Sequence, residues 1–165
     1  VFKGGVKVNV MGNSLDDLKG DIHFSQTAYQ NNKDRYYFED CTLHSEFDAD
    51  NVRTISLKSP DIIDGKVVGK FEIASLRKML ENSAGSLYAN YSRNEVKKGQ
   101  YLKFDFAIYN KIVEVFYPGI EIGKNTHIRG SIDSDTDDFK VVKNGRRAIY
   151  LTDRSHQLGV WEEEN

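Results

Sequence analysis

Tyr101-Leu102-Lys103-Phe104-Asp105-Phe106-Ala107-Ile108 alternates at every step. In an extended chain Leu102, Phe104, Phe106 and Ile108 fall on one side, and Tyr101, Lys103, Asp105 and Ala107 on the other. A period of two marks a strand with one dry face and one wet face. The pattern recurs upstream, where Ile63, Val67, Phe71 and Ile73 share one parity and Asp64, Lys66, Lys70 and Glu72 the other. Near the start, Val6, Val8 and Val10 alternate with Lys7 and Asn9, and Ile22 and Phe24 follow a break at Gly20.

The remaining strands are read the same way. Tyr37, Cys41, Leu43 and Phe47 share a side that Glu39 and Ser45 interrupt, and Val52–Ser59 resumes after a turn at Asp48–Asn51. Shorter runs follow at Lys111–Tyr117, Thr126–Asp133, Phe139–Lys143 and Arg147–Thr152. Turn signals at Asn31-Asn32, Pro118-Gly119, Gly123–Asn125 and Asn144-Gly145 separate the runs. Glycines precede apolar pairs at Gly20, Gly69 and Gly130, where successive strands would bend.

One stretch changes period. Leu76, Met79, Leu80, Ser83 or Ala84, Leu87 and Tyr88 recur at helical spacing, which predicts a helix over Ser75–Asn90 with Ser75 at its cap. About ten strands then offer apolar faces, and one helix of some four turns covers only part of them. The fold expected from this pattern is all-β and antiparallel, bordered by one short amphipathic helix, and the strand pattern leaves open the choice between a closed sandwich and a sheet with an open apolar groove. The uncovered apolar side must meet another sheet, the same sheet curling over, or a ligand.

Composition narrows the function. The chain has 165 residues, with 39% hydrophobic, 29% charged and only 2 prolines, a folded composition filling one domain, residues 1–165. A net charge of −2 lacks the basic surplus of a nucleic-acid binder. Cys41, the only cysteine, excludes an intrachain disulfide and a multi-cysteine metal site, and reads as a small apolar side chain. The chain opens at Val1 and alternates like a strand by Gly5–Val10, so it reads as a segment of a longer protein.

Chemistry-bearing motifs are sparse. His23, His44, His127 and His156 lack metal-ligand spacing, and His23 and His44 lie on the polar parity of their strands. Asp133, Asp135 and Asp137 suggest calcium, but Asp138 and Asn144 stand where an EF-hand loop needs Gly and Glu, leaving a solvated acidic turn. No P-loop, dinucleotide fingerprint or nucleophile elbow occurs. No catalytic residue, cofactor or metal is expected. Nine Tyr and nine Phe are many for this length, yet most follow the strand parities.

The run Ser59-Pro60-Asp61-Ile62-Ile63-Asp64-Gly65-Lys66, then Gly69-Lys70-Phe71 and Ser86-Leu87-Tyr88-Ala89-Asn90-Tyr91, resembles the TamB family of translocation and assembly module proteins of Gram-negative envelopes. Gly99–Phe104, Tyr109–Phe116, Ile120–Thr126 and Ile128–Ile132 continue the likeness, which runs from about Lys7 to Asp133 and fades beyond Phe139. This family is similar to the AsmA-like and bridge-like lipid-transfer proteins. The resemblance implies a long periplasmic chain, anchored in the inner membrane elsewhere, whose curved, open antiparallel sheet forms a trough with an apolar concave face that carries phospholipid acyl chains toward the outer membrane. It also implies an outer-membrane barrel partner of the TamA type.

Val67, Phe71, Ile73, Leu102, Phe104, Phe106 and Ile108 are accordingly the candidate lipid contacts, acting by solvating acyl chains. The alternative role is an interaction segment that pairs through open sheet edges during assembly of outer-membrane proteins.

Overall fold

The computed structural model describes residues 2–30, 35–85, 92–109, 125–136, 139–143, 146–150 and 160–163. The alternating stretches become strands β1 (Phe2–Met11), β2 (Lys19–Gln30), β3 (Arg35–Phe47), β4 (Arg53–Ser59) and β5 (Ile63–Lys70). After helix α1 (Ile73–Gly85) come β6 (Tyr101–Ile108), β7 (Thr126–Asp133), β8 (Phe139–Lys143), β9 (Arg146–Tyr150) and β10 (Val160–Glu163). All ten belong to one antiparallel sheet in which each strand pairs with the next in sequence. Among the described residues β1 and β10 each have a single neighbour, so the sheet is open and does not close into a barrel.

Register puts every apolar parity on the same side. Leu43 pairs with Leu57, Val67 with Phe104, and Leu102 with Ile132. A slip of one residue in any pair would turn a whole apolar set into water, so the burial pattern fixes the register. Two glycines permit a close approach of neighbouring backbones. A Cβ on Gly69 would run into the Tyr101 carbonyl oxygen and Leu102 Cα, and one on Gly20 (φ +121°) into the Asn9 carbonyl oxygen.

Short turns have local causes. Asp48 Oδ1 accepts hydrogen bonds from the N–H groups of Asp50 and Val52, and Asn51 takes the left-handed conformation at φ 60°. Between β1 and β2, the Asp17 carboxylate accepts from the N–H groups of Asn13 and Ser14 and from the Ser14 hydroxyl. Those backbone donors, Asn13 first, hold the Asp17 carboxyl below its ordinary range.

Helix α1 starts two residues before the expected Ser75, and residues 86–90 of the expected span lie outside the described residues. Ser75 does not cap it. Its N–H donates to the Glu72 carbonyl, inside the first turn. The start is instead satisfied from afar: the Ile73 N–H donates to Asp16 Oδ1 at 2.6 Å, and the Glu72 N–H to Gln100 Oε1 at 2.7 Å. Phe71 and Ile73 therefore do not continue the β5 alternation. β5 ends at Lys70, Phe71 is buried just beyond it, and Ile73 opens α1. The expected strand at Lys111–Tyr117 and the turns at Asn31-Asn32, Pro118-Gly119 and Asn144-Gly145 lie outside the described residues.

The core sits where α1 lies on the sheet. Met79, at 1% exposure, packs with Phe71, Leu102 and Ile132, and Ile55, Val67, Ile73, Leu76, Val96 and Phe104 close around them. The segment returning from α1 to β6 is clasped by reciprocal bonds. The Asn82 amide donates to the Asn94 carbonyl, and the Asn94 N–H donates back to Asn82 Oδ1. Buried Gln100 then ties the segment to β7 through the N–H of Ser134 and its hydroxyl oxygen.

Candidate functional site

The sheet has two chemically distinct faces. On the polar one, Asp21 faces His44 across β2 and β3, and their Oδ1 and Nδ1 lie 2.7 Å apart. His44 Nε2 is 3.6 Å from Glu46, His23 Nε2 is 3.0 Å from Asp40, and His127 Nε2 is 2.6 Å from Asp105. His44 is held above its usual range, first by the hydrogen bond its ring donates to the Asp21 carboxylate, against a smaller opposing effect of burial. Apart from His44–Glu46, which lies within β3, these are cross-strand pairs of the ordinary sheet kind, half in water. Asp133 accepts from the N–H groups of Asp135 and Thr136, and Asp135 from the N–H of Gly99, so both acids shape a turn. Asp137 lies outside the described residues.

The other face is apolar and can be followed row by row through the register. The first row runs Phe47, Arg53, Gly69, Leu102 and Ile132, with α1 packed over its Leu102–Ile132 end. The next is Ser45, Ile55, Val67, Phe104 and Gly130. One step further from the helix, Val8, Ile22, Leu43, Leu57, Gly65, Phe106 and Ile128 follow one another across seven strands. No side chain in this third row is buried, and Val8 is 58% exposed. Beside it lie Val6, Phe24 and Cys41, with Val6 51% exposed and the other two half-buried. Burial pushes the Cys41 thiol upward, with the charge of Asp40 adding to it.

No family model, curated protein or solved structure matches this chain.

The residues expected to contact lipid divide into three groups. Phe71 and Leu102 are in the core beneath α1, and Val67, Ile73 and Phe104 pack against it. Ile108 is 1% exposed at the opposite end of β6, beside Ile63 and Thr126. Only Phe106 lies in the half-open third row, its ring stacked near Phe104 with centroids 6.5 Å apart. Row mates Val8, Ile22, Leu43, Leu57 and Ile128 carry the same parity signal in the sequence. What singles them out is their distance along the strands from α1, whose core reaches Leu102, Ile132, Ile55, Val67 and Phe104 but not the third row.

Arg53 was not anticipated. It stands in strand alternation with Ile55 and Leu57, on the apolar face, at 3% exposure. Its Nε donates to Ser45 Oγ at 3.1 Å and its Nη2 to the Leu18 carbonyl at 3.3 Å. Its guanidinium lies 5.2 Å from the Phe47 ring centroid, over which Lys19 Nζ also sits at 5.3 Å. A basic residue on an otherwise apolar parity was the available signal.

A shallow concavity of about 820 Å³, lined by Arg93–Lys98, Ser134 and Asp135, lies beside the return segment. Acids and bases alternate there, and Arg93 donates to the Ser134 carbonyl, so it reads as the seam of that segment. No helix among the described residues is long and apolar enough to cross a membrane.

Proposed function

We propose that the open apolar face binds acyl chains, and that this chain acts as a segment of a periplasmic lipid-conduit protein in outer-membrane biogenesis. The third row carries this reading: seven strands in line contribute an apolar or glycine position to one side, and none is buried. Neighbouring strands are about 4.8 Å apart, so the row extends roughly 29 Å across the strands. Each fully buried Leu, Ile or Phe contributes about 1.5–3 kcal/mol, and a ligand that covers the row gains much of what folding leaves unused. Acyl chains suit it because the row offers no hydrogen-bonding side chain. The likeness of Ser59–Lys66 and Gly99–Phe104 to the TamB family supports the same class of ligand, and a barrel partner of the TamA type belongs to that wider reading.

Cys41 offers the test, since its half-exposed thiol lies beside the row. Maleimide labelling is expected to slow several-fold when lysophospholipid is added to the protein, and to recover when Leu43→Asp places a charge in the row. Labelling at the same rate with and without lysophospholipid would remove the acyl-chain reading.

A second reading rests on β1. Its outer edge has no partner among the described residues, no proline interrupts Phe2–Met11, and Met11 is 75% exposed. Such an edge pairs readily with an added strand. Sedimentation that reports a concentration-dependent dimer, abolished by Val8→Pro, would favour assembly through this edge.

A further inference from the structure

We propose that the corner formed by Lys19, Phe47 and Arg53 receives the anionic head of an amphiphile whose acyl chain lies along Leu57, Leu43 and Ile22. The proposal rests on the acyl-chain reading and adds the class of ligand: a single anionic group on an apolar tail.

Arg53 is the reason. An arginine stays charged even where burial lowers its pKa, as it does here against the opposing pull of Asp16 and Asp17. A buried charge is costly without a paired counter-charge. Yet Arg53 donates only to neutral oxygens, those of Ser45 and Leu18, and its Nη1 is buried with no hydrogen-bond partner. The two acids nearby are committed elsewhere. Asp16 accepts from the Ile73 N–H at the start of α1, and Asp17 from the turn donors Asn13 and Ser14. Neither makes a contact ion pair with Arg53. Lys19, exposed at the start of β2, adds a second cation to the same ring.

The layout suits an amphiphile rather than a free anion. Arg53, Ile55 and Leu57 follow one another on the same face of β4, so the Leu57 Cα lies about 13 Å along the strand from the Arg53 Cα. Leu57 pairs with Leu43, and Leu43 with Ile22, so the apolar path turns across the strands, parallel to the row that holds Phe47 and Arg53. Nη1 itself has no solvent surface, so a head held at Lys19 reaches it only with a local rearrangement of the side chains around Arg53.

Titration calorimetry below the micelle concentration separates the possibilities, using palmitate, monopalmitoylglycerol and inorganic phosphate. Palmitate is expected to bind about tenfold more tightly than the neutral lipid, the size of one good charge-assisted contact. Lys19→Gln and Arg53→Gln are each expected to bring that ratio close to one. Equal affinities in the unaltered protein would overturn the head site while leaving acyl binding intact. Binding of neither lipid would overturn both readings. Phosphate binding as tightly as palmitate would mean a free-anion site and also overturn the proposal. Should Arg53→Gln fail to fold, an unchanged ratio in Lys19→Gln is sufficient to reject it.

Discussion

Met79 and Leu80 are adjacent on α1 yet differ completely in what they hold. Met79 is 1% exposed against Phe71, Leu102 and Ile132, whereas Leu80 is 37% exposed. Met79→Ala is expected to cost about 2–5 kcal/mol through lost burial and the cavity left behind, and Leu80→Ala about 0.5 kcal/mol or less. Urea unfolding of the two variants checks this, and equal losses would mean that α1 does not seat as described. His44 gives a pH prediction. Its folded pKa is raised, chiefly by Asp21, so its contribution is fully present below the ordinary value of 6.5 and disappears as pH rises through the folded value. The side chain is 40% exposed, and solvent screening holds the effect to about 0.2–1 kcal/mol. NMR titration should place the His44 midpoint above that of the unfolded chain, and Asp21→Asn should bring it down. A midpoint unmoved by Asp21→Asn would show that the pair does not form. The parity of both histidines was legible in the sequence because strand alternation is local. Their carboxylate partners were not, because Asp21 and Asp40 become neighbours of these rings only through β2–β3 pairing.

Among the elements, the strands were more legible than the helix. A strand half in water writes its two faces into the sequence, as Tyr101–Ile108 does, and its bounds follow from where alternation stops. The helix start was misplaced because its cap is tertiary. Asp16, on the β1–β2 turn, reaches the Ile73 N–H across 57 residues of sequence, while Ser75, the residue with the right local chemistry, sits within the first turn. That same misplacement extended β5 through Phe71 and Ile73, whose spacing from Val67 mimics a strand. Asp16→Ala is therefore expected to destabilise the protein by about 0.5–2 kcal/mol, and Ser75→Ala by clearly less. Amide exchange at Ile73 should accelerate in Asp16→Ala with little change in β2 and β3. Uniform acceleration throughout the sheet would instead mean that the β1–β2 turn does more than cap α1.

Over the whole molecule, stability is unevenly distributed because cover is uneven. α1 and its return segment protect the rows of the apolar face through Leu102 and Phe104, while the third row, from Val8 to Ile128, stays half-open. The excess of apolar strand face over helical cover was visible in the sequence, since each strand announces its dry side. Where the uncovered part would lie was not, because that depends on α1 folding back over β6 and β7 and not over β3. This asymmetry has a measurable consequence. Local opening follows cover, so amides of β6 should exchange most slowly and those of β2–β4 faster, with β1 at the free edge fastest. A ligand that binds the folded sheet and not the unfolded chain stabilises it by about 2.7 kcal/mol at a hundred times its dissociation constant. If acyl chains fill the third row, lysophospholipid should slow exchange selectively at Ile22, Leu43 and Leu57 and leave β6 residues beneath α1, such as Leu102, nearly unchanged. Protection confined to β1 would point to edge pairing, since a strand added there satisfies the β1 backbone without covering the row. Uniform protection across the sheet would mean global stabilisation with no preference for the open side, and the assignment of the third row to lipid would fall.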